Sequence, residues 1–152
     1  MAEFIVNFHG QNSRMVFPPQ FWRRVPSLMA NRNAQTARAR GALIEQCAAS
    51  WLQLQGLVLV GRNQFVKGGE LDLIMKDGDT LVFVEVKHRE SCRYGHPLET
   101  VTPTKQRRLV HAATVYLARH ALSCPCRFDI LAATGTPPDV SFEWVKAAFD
   151  AF

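Results

Sequence analysis

The chain has 152 residues, 47% hydrophobic and 20% charged, the proportions of an ordinary soluble domain long enough to bury its own core. Its formal charge of +5 resides in residues 1–40, while residues 41–152 balance 12 basic against 12 acidic side chains, so overall basicity says little about partners. No apolar run approaches the roughly 20 residues that cross a bilayer, and the start lacks a signal peptide's basic region and apolar stretch; no membrane partner and a cytoplasmic location are expected.

Residues 1–34 read as a flexible N-terminal extension. They contain Pro18-Pro19, Pro26 and scattered Asn and Arg, with no sustained period, although Phe17, Phe21 and Trp22 are unusual for a disordered segment. Met15 and Met29 are alternative starts. Residues 35–152 read as one domain. A helix is predicted from Ala34 to Gln55, with Leu43, Cys47, Trp51 and Leu54 as its apolar stripe. Gly56 suits its stop. Leu57 to Val60 begins a first strand, Lys67-Gly68-Gly69 is a turn, and Glu70 to Met75 is a second strand. Asp77-Gly78 is a hairpin signal leading into a third strand, Thr80 to Lys87.

Arg89 to Val101 reads as a polar loop. Thr102-Pro103 then looks like an N-cap followed by proline at the first helical position, and the helix runs to about His120. Arg127 to Ala133 is a fourth strand, Ser141 to Val145 a short edge strand, and Lys146 to Phe152 a terminal helical turn. The order α-β-β-β-α-β-β predicts an α/β fold, a mixed sheet flanked by helices. The third strand, apolar on both faces, belongs at its centre. Cys47, Cys92, Cys124 and Cys126 lack zinc-type spacing and read as free thiols.

The third strand also carries the informative charges. Glu85 and Lys87 interrupt the run that begins Leu81-Val82-Phe83-Val84, and alternation puts both on one face. Burying a charge is costly unless it is paired or coordinates a metal. Asp72 lies across the hairpin, so a carboxylate pair and an ammonium can converge. Glu45, at the border of the first helix's apolar stripe, is a fourth candidate. Hydrolysing a phosphodiester calls for such a set: hard oxygen ligands for Mg²⁺ or Mn²⁺, and a lysine to orient water and offset phosphate charge. The bland alternative is an ion pair within the sheet. Between Lys87 and His111 there is a local charge of +4. Arg89, Arg93, Lys105, Arg107 and Arg108 are its candidate contacts to a nucleic-acid backbone, with solvated faces as the alternative. Asp129 reads as structural.

Several spaced motifs then converge on one family. Gly41-x-x-x-Glu45, Gly69-Glu70-Leu71-Asp72-Leu73-Ile74, Phe83-Val84-Glu85-Val86-Lys87-x-Arg89, Tyr94-Gly95, Val101-Thr102-x-x-Lys105, Arg127-Phe128-Asp129 and Trp144-x-Lys146-x-Ala148-Phe149 resemble the YraN-like family of small bacterial proteins. The resemblance covers roughly residues 36–152. That family is similar to a branch of the PD-(D/E)xK nuclease superfamily, with a layout like archaeal Holliday-junction resolvases; Leu71 stands where the superfamily commonly has proline. The resemblance implies a restriction-endonuclease-like three-layer core and Mg²⁺-dependent DNA cleavage. Glu45, Asp72 and Glu85 would be metal carboxylates and Lys87 the catalytic lysine. Branched or structured DNA is the implied substrate, and resolving a junction would need a homodimer. Two other functions stay open: a nucleic-acid-binding module with weak or no catalysis, and a protein–protein adaptor with a vestigial site.

Overall fold

A computed structural model describes residues 6–9, 12–16, 37–91, 93, 101–137 and 139–151. The strands are β1 (Val6–His9), β2 (Asn12–Val16), β3 (Val58–Val66), β4 (Gly69–Asp77), β5 (Thr80–Arg89), β6 (Cys126–Thr136) and β7 (Asp139–Phe149). The helices are α1 (Ala37–Leu54) and α2 (Pro103–Arg119). All seven strands form one sheet in the order β1-β2-β7-β6-β5-β4-β3. β5 and β6 are parallel, joined through α2, and the other neighbours are antiparallel. The five strands that follow α1 reproduce the expected order, with β5 in their middle.

Local chemistry places the ends of these elements. At the end of α1, the Gly56 N–H bonds to the Gln53 carbonyl and the Leu57 N–H to that of Leu52. Gly56 has φ +98°, so these form the paired bonds of a Schellman stop. Thr102 caps α2 by accepting from the Lys105 N–H at 3.3 Å, and Pro103 follows. The β4–β5 hairpin turns at Gly78 and Asp79, closing Asp77 against Thr80.

The helices cover opposite faces of the sheet. Successive β5 residues alternate between two cores: Val82 and Val84 pack with Leu43, Ile44, Trp51 and Leu52 of α1, and Leu81 and Phe83 with Leu109, Ala113 and Tyr116 of α2. A β5 residue packed on both sides this way sits in a three-layer α/β/α arrangement. α2 lies very close to β4 at Gly69, where an added Cβ would stand 2.7 Å from the Arg108 carbonyl oxygen. Glycine is the residue that lets the start of β4 touch the first turns of α2.

Three expectations need correction. Lys146 to Phe149 continue β7 rather than turning into a helix. Phe149 stacks on Phe128 with ring centroids 5.0 Å apart, and the Ala147 N–H donates to Asp129; pairing and packing override the helical preference of the alanines. β7 is also no edge strand, because β2 pairs along it. Finally, part of the N-terminal extension forms strands, β1 and β2; the rest of residues 1–34 lies outside the described residues, as do Cys92 and the Tyr94-Gly95 motif. Among the described cysteines, Cys47, Cys124 and Cys126 are free.

Candidate functional site

The site forms where the sheet opens. The β4–β5 ladder runs from Asp77–Thr80 only as far as Leu73–Val84. Beyond it, the Val86 N–H donates not to a β4 carbonyl but to Asp72 Oδ2, at 2.9 Å. Strand N–H groups lie in the plane of the sheet, so the Asp72 carboxylate lies there too, in the gap between the parting strands. The slip shows in the packing: Leu71 and Ile74 both join the α2-side core while Leu73 joins the other, which strict alternation forbids.

Glu85 approaches from the α2 face. It is 3% exposed. Its Oε1 pairs with Lys87 Nζ at 2.8 Å and Lys105 Nζ at 3.0 Å. Its Oε2 is buried and accepts from no donor. Burial, then the charge of Glu85, pushes the Asp72 carboxyl up to about 7, against the opposing hydrogen bond from Val86. Glu45 approaches from the α1 side. Burial raises its pKa, Asn63 opposes this through a side-chain hydrogen bond, and the charges of Glu70 and Glu85 add to the rise. Asn63 has φ +49°, a left-handed conformation that asparagine tolerates better than most residues, within the β3 stretch opposite Asp72.

The structure therefore brings Asp72, Glu85, Lys87 and Lys105 into one group, with Glu45 at its margin. Among the described residues, no three His, Cys, Asp or Glu side chains stand together closely enough to hold a metal ion unaided. Two carboxylates nonetheless fit a magnesium-type ion, which typically takes one or two protein carboxylates and completes its shell with water and substrate phosphate. The donors are hard oxygens, one oxygen has no partner, and the second carboxyl resists ionising because it is buried and stands beside Glu85. A divalent cation bound by Asp72 and Glu85 would answer both deficits.

The predicted backbone contacts divide. Lys105 and Arg108 line an open cleft with Phe65, Gly68, Gly69 and Glu70. Arg107 is exposed and bonds to the Thr104 hydroxyl at 3.1 Å. Arg89 is half-buried at the end of β5 and Arg93 is exposed. Asp129 is architectural, as expected: it accepts from Arg127, Trp144 and Ala147. His88 bonds to the Gly135 carbonyl at 2.8 Å, and His111 to that of Lys67 at 2.9 Å. Sequence reasoning missed the ion pair of Lys105 with Glu85, because the N-cap spacing reveals the helix start but not what lies across from it. It also missed Asn63 and Phe65, whose only signal was a polar and aromatic interruption before the glycine turn. No helix among the described residues is long and apolar enough to cross a membrane.

The family model described as "Uncharacterised protein family UPF0102" matches residues 44–133, a span holding every residue of this site. The chain is 59% identical over 124 residues to a UPF0102 protein of Chromohalobacter salexigens, covering 82% of this chain and 100% of that one. It is 43% identical over 122 residues to a UPF0102 protein of Klebsiella pneumoniae, covering 78% and 92%. With one from Nitrosomonas europaea it shares 44% over 115 residues, covering 76% and 97%.

Proposed function

The chain belongs to the uncharacterised protein family UPF0102, the YraN-like proteins, and we propose that it is a metal-dependent endonuclease hydrolysing DNA phosphodiester bonds, acting on branched or otherwise structured DNA. The observation that carries this reading is Glu85: a buried carboxylate, clamped by two lysines on one oxygen and unpartnered on the other, beside an Asp72 carboxyl that resists ionising. The carboxylate–x–lysine strand and its aspartate across a hairpin also support placement in the PD-(D/E)xK superfamily with a restriction-endonuclease-like core.

Asp72 and Glu85 would hold Mg²⁺ or Mn²⁺, with Glu45 within electrostatic reach. A divalent cation in that position supplies charge neutralisation at the phosphoryl oxygens and a more acidic bound water. The chain's own residues do the rest. The Val86 N–H fixes the Asp72 carboxylate in the sheet plane. Lys87 holds Glu85 in place and offers an ammonium to orient the attacking water. Lys105, at the start of α2, meets a substrate phosphate. Buried walls on both sides strengthen each of these interactions relative to water. Cutting a junction on two strands would take two such sites, hence a homodimer.

The test is cleavage of labelled duplex, single-stranded and four-way DNA with Mg²⁺ or Mn²⁺. We expect Glu85→Gln and Asp72→Asn each to lower cleavage by about 10²–10³-fold, the scale of losing one group that stabilises developing charge, with the fold retained. Equal activity in both variants and the native chain would refute the site.

A second reading is a nucleic-acid-binding module on the same scaffold with weak or no catalysis. It is favoured by the clamp itself, since Lys87 and Lys105 already neutralise Glu85. Salt-sensitive binding with no metal-dependent turnover, and no heat of Mg²⁺ or Mn²⁺ binding by calorimetry, would select it.

A further inference from the structure

The sheet ends at β3, whose outer edge has no neighbouring strand among the described residues. Five large hydrophobic side chains are exposed among those residues, and four of them, Leu54, Val58, Val60 and Phe65, lie on β3 or at the end of α1 just before it, 46–66% exposed. Sheet edges are ordinarily blunted by lysine, proline or inward charge. Residues 54–61 hold no proline and no charged side chain, and only a bulge between Leu59 and Gly61 breaks the ladder with β4. The regular edge stops at Arg62, because Asn63 turns to φ +49° and the Gln64 amide bonds to the Arg62 carbonyl at 3.1 Å. The open stretch is therefore Val58 to Arg62. Phe65 alternates with Val66, which packs toward α2, so Phe65 stands on the opposite face. That is the face covered by α1, whose last residue is Leu54.

We propose that this edge is the contact between two copies of the chain, which pair β3 against β3 antiparallel about a two-fold axis near Val60. A two-fold contact requires a patch complementary to itself. An uncharged apolar stretch meets that need, since no like charges face one another. An axis near Val60 sets Val58 opposite Arg62 of the other copy. It also brings Phe65 of each copy toward Leu54 of the other, on the α1 face of both. An axis at Arg62 would instead put two guanidinium groups directly opposite, which is unfavourable. The two-fold is normal to the sheet, so both copies turn the same face to the same side. Both Glu85 clusters, on the α2 face, then open together, roughly 30 Å apart by strand spacing and rise. The contact owes nothing to the nuclease reading; the inference rests on that reading only for what the paired sites do, which is to cut two strands of one DNA. Five paired residues span roughly 16 Å, a small contact of the reversible kind.

The experiment is sedimentation velocity of the full chain without DNA or metal, from about 1 to about 100 μM, the range of weak reversible contacts. The mass of 17.1 kDa is expected to double as concentration rises. Val60→Lys sets two ammonium groups against each other at the axis, and Val58→Lys sets one against Arg62 of the other copy. Each is expected to weaken the doubling about tenfold or more. Val58→Glu, which meets Arg62 with the opposite charge, is expected to keep it. Leu122→Lys, exposed but off this edge, is expected to change nothing. Val58 and Val60 are both exposed, so their variants should melt with the native chain. A native chain that stays at 17.1 kDa throughout, a doubling that survives both lysine variants, or an equal loss in Val58→Glu or Leu122→Lys overturns the proposal. Doubling without metal-dependent cleavage of any DNA upholds the contact and sinks the nuclease; cleavage by a chain that never doubles does the reverse. Where both hold, Val60→Lys is expected to lose paired cuts of four-way DNA while keeping single ones.

Discussion

Two acidic side chains are buried on neighbouring strands of this sheet, and their surroundings differ sharply. Asp129 on β6 is 1% exposed and Glu85 on β5 is 3% exposed. Asp129 is saturated. Its Oδ1 accepts from Arg127 Nε at 3.0 Å and the Ala147 N–H at 2.9 Å, and its Oδ2 from Arg127 Nη2 at 3.2 Å and Trp144 Nε1 at 3.0 Å. Those bonds hold together the irregular pairing of β6 with β7, where the register shifts and Ala147 takes φ +48°. Arg127 extends the tie to Asp77 at 2.8 Å. Glu85 is crowded with charge on one oxygen and starved on the other, and it and the Asp72 carboxylate repel each other. A buried acid whose oxygens are all satisfied fixes a fold. One left half-satisfied next to a second acid is a poor structural device and a good seat for a cation.

The contrast can be broken by substitution. The largest effect is expected at Asp129. Removing it leaves the Trp144 and Ala147 donors unpartnered and Arg127 with Asp77 alone, so Asp129→Ala should lower stability by about 2–5 kcal/mol, read by chemical denaturation. Glu85→Gln should cost far less stability while lowering metal-dependent cleavage by about 10²–10³-fold. A larger stability loss at Glu85 than at Asp129 would invert the contrast.

An intermediate effect is expected from the titration of Asp72. Its folded pKa of about 7 lies above the ordinary 3.8, so the folded state holds the proton more tightly. Stability contributed by the neutral carboxyl is present below pH 4 and lost as pH rises from about 4 to 7. Asp72→Asn should flatten that slope and stabilise the protein at neutral pH by on the order of 1–3 kcal/mol. Mg²⁺ should release protons from the native chain near pH 6.5, seen by calorimetry in buffers of different ionisation enthalpy. A stability profile identical in the native chain and Asp72→Asn would remove the repulsion from the account.

The smallest effect belongs to the clamp. Lys105 and Lys87 are 32% and 24% exposed, so water screens each pair. Lys105→Met should change stability by about 1 kcal/mol or less, because Lys87 still covers Glu85, but it should weaken DNA binding and reduce its salt dependence. A stability loss near that of Asp129→Ala would make the clamp architectural instead.

Much of this was legible in residue order. The hairpin at Asp77 to Thr80, the stop at Gly56, the cap at Thr102 and the central position of β5 follow from turn and cap chemistry and from an apolar run, all local signals. Glu85 and Lys87 were legible because a charge inside an apolar strand is conspicuous. The end of the last strand, from Lys146, was misread because Ala147-Ala148 has helical preference, and only partners far away in sequence, Asp129 and Phe128, could override it. Residues 6–9 and 12–16 carried no strand signal; β2 pairs along β7 and β1 along β2.

By itself, then, the sequence determined the elements between residues 37 and 145, their order and the identity of the charged residues, since periodicity, caps and turns act over a few residues. Tertiary structure alone decided the site's state. The parting of β4 from β5 puts the Asp72 carboxylate in the sheet plane, within reach of both faces. The close approach at Gly69 brings Lys105 onto Glu85. Such convergence depends on distances between residues 13 to 40 positions apart, which only the packed sheet and helices set.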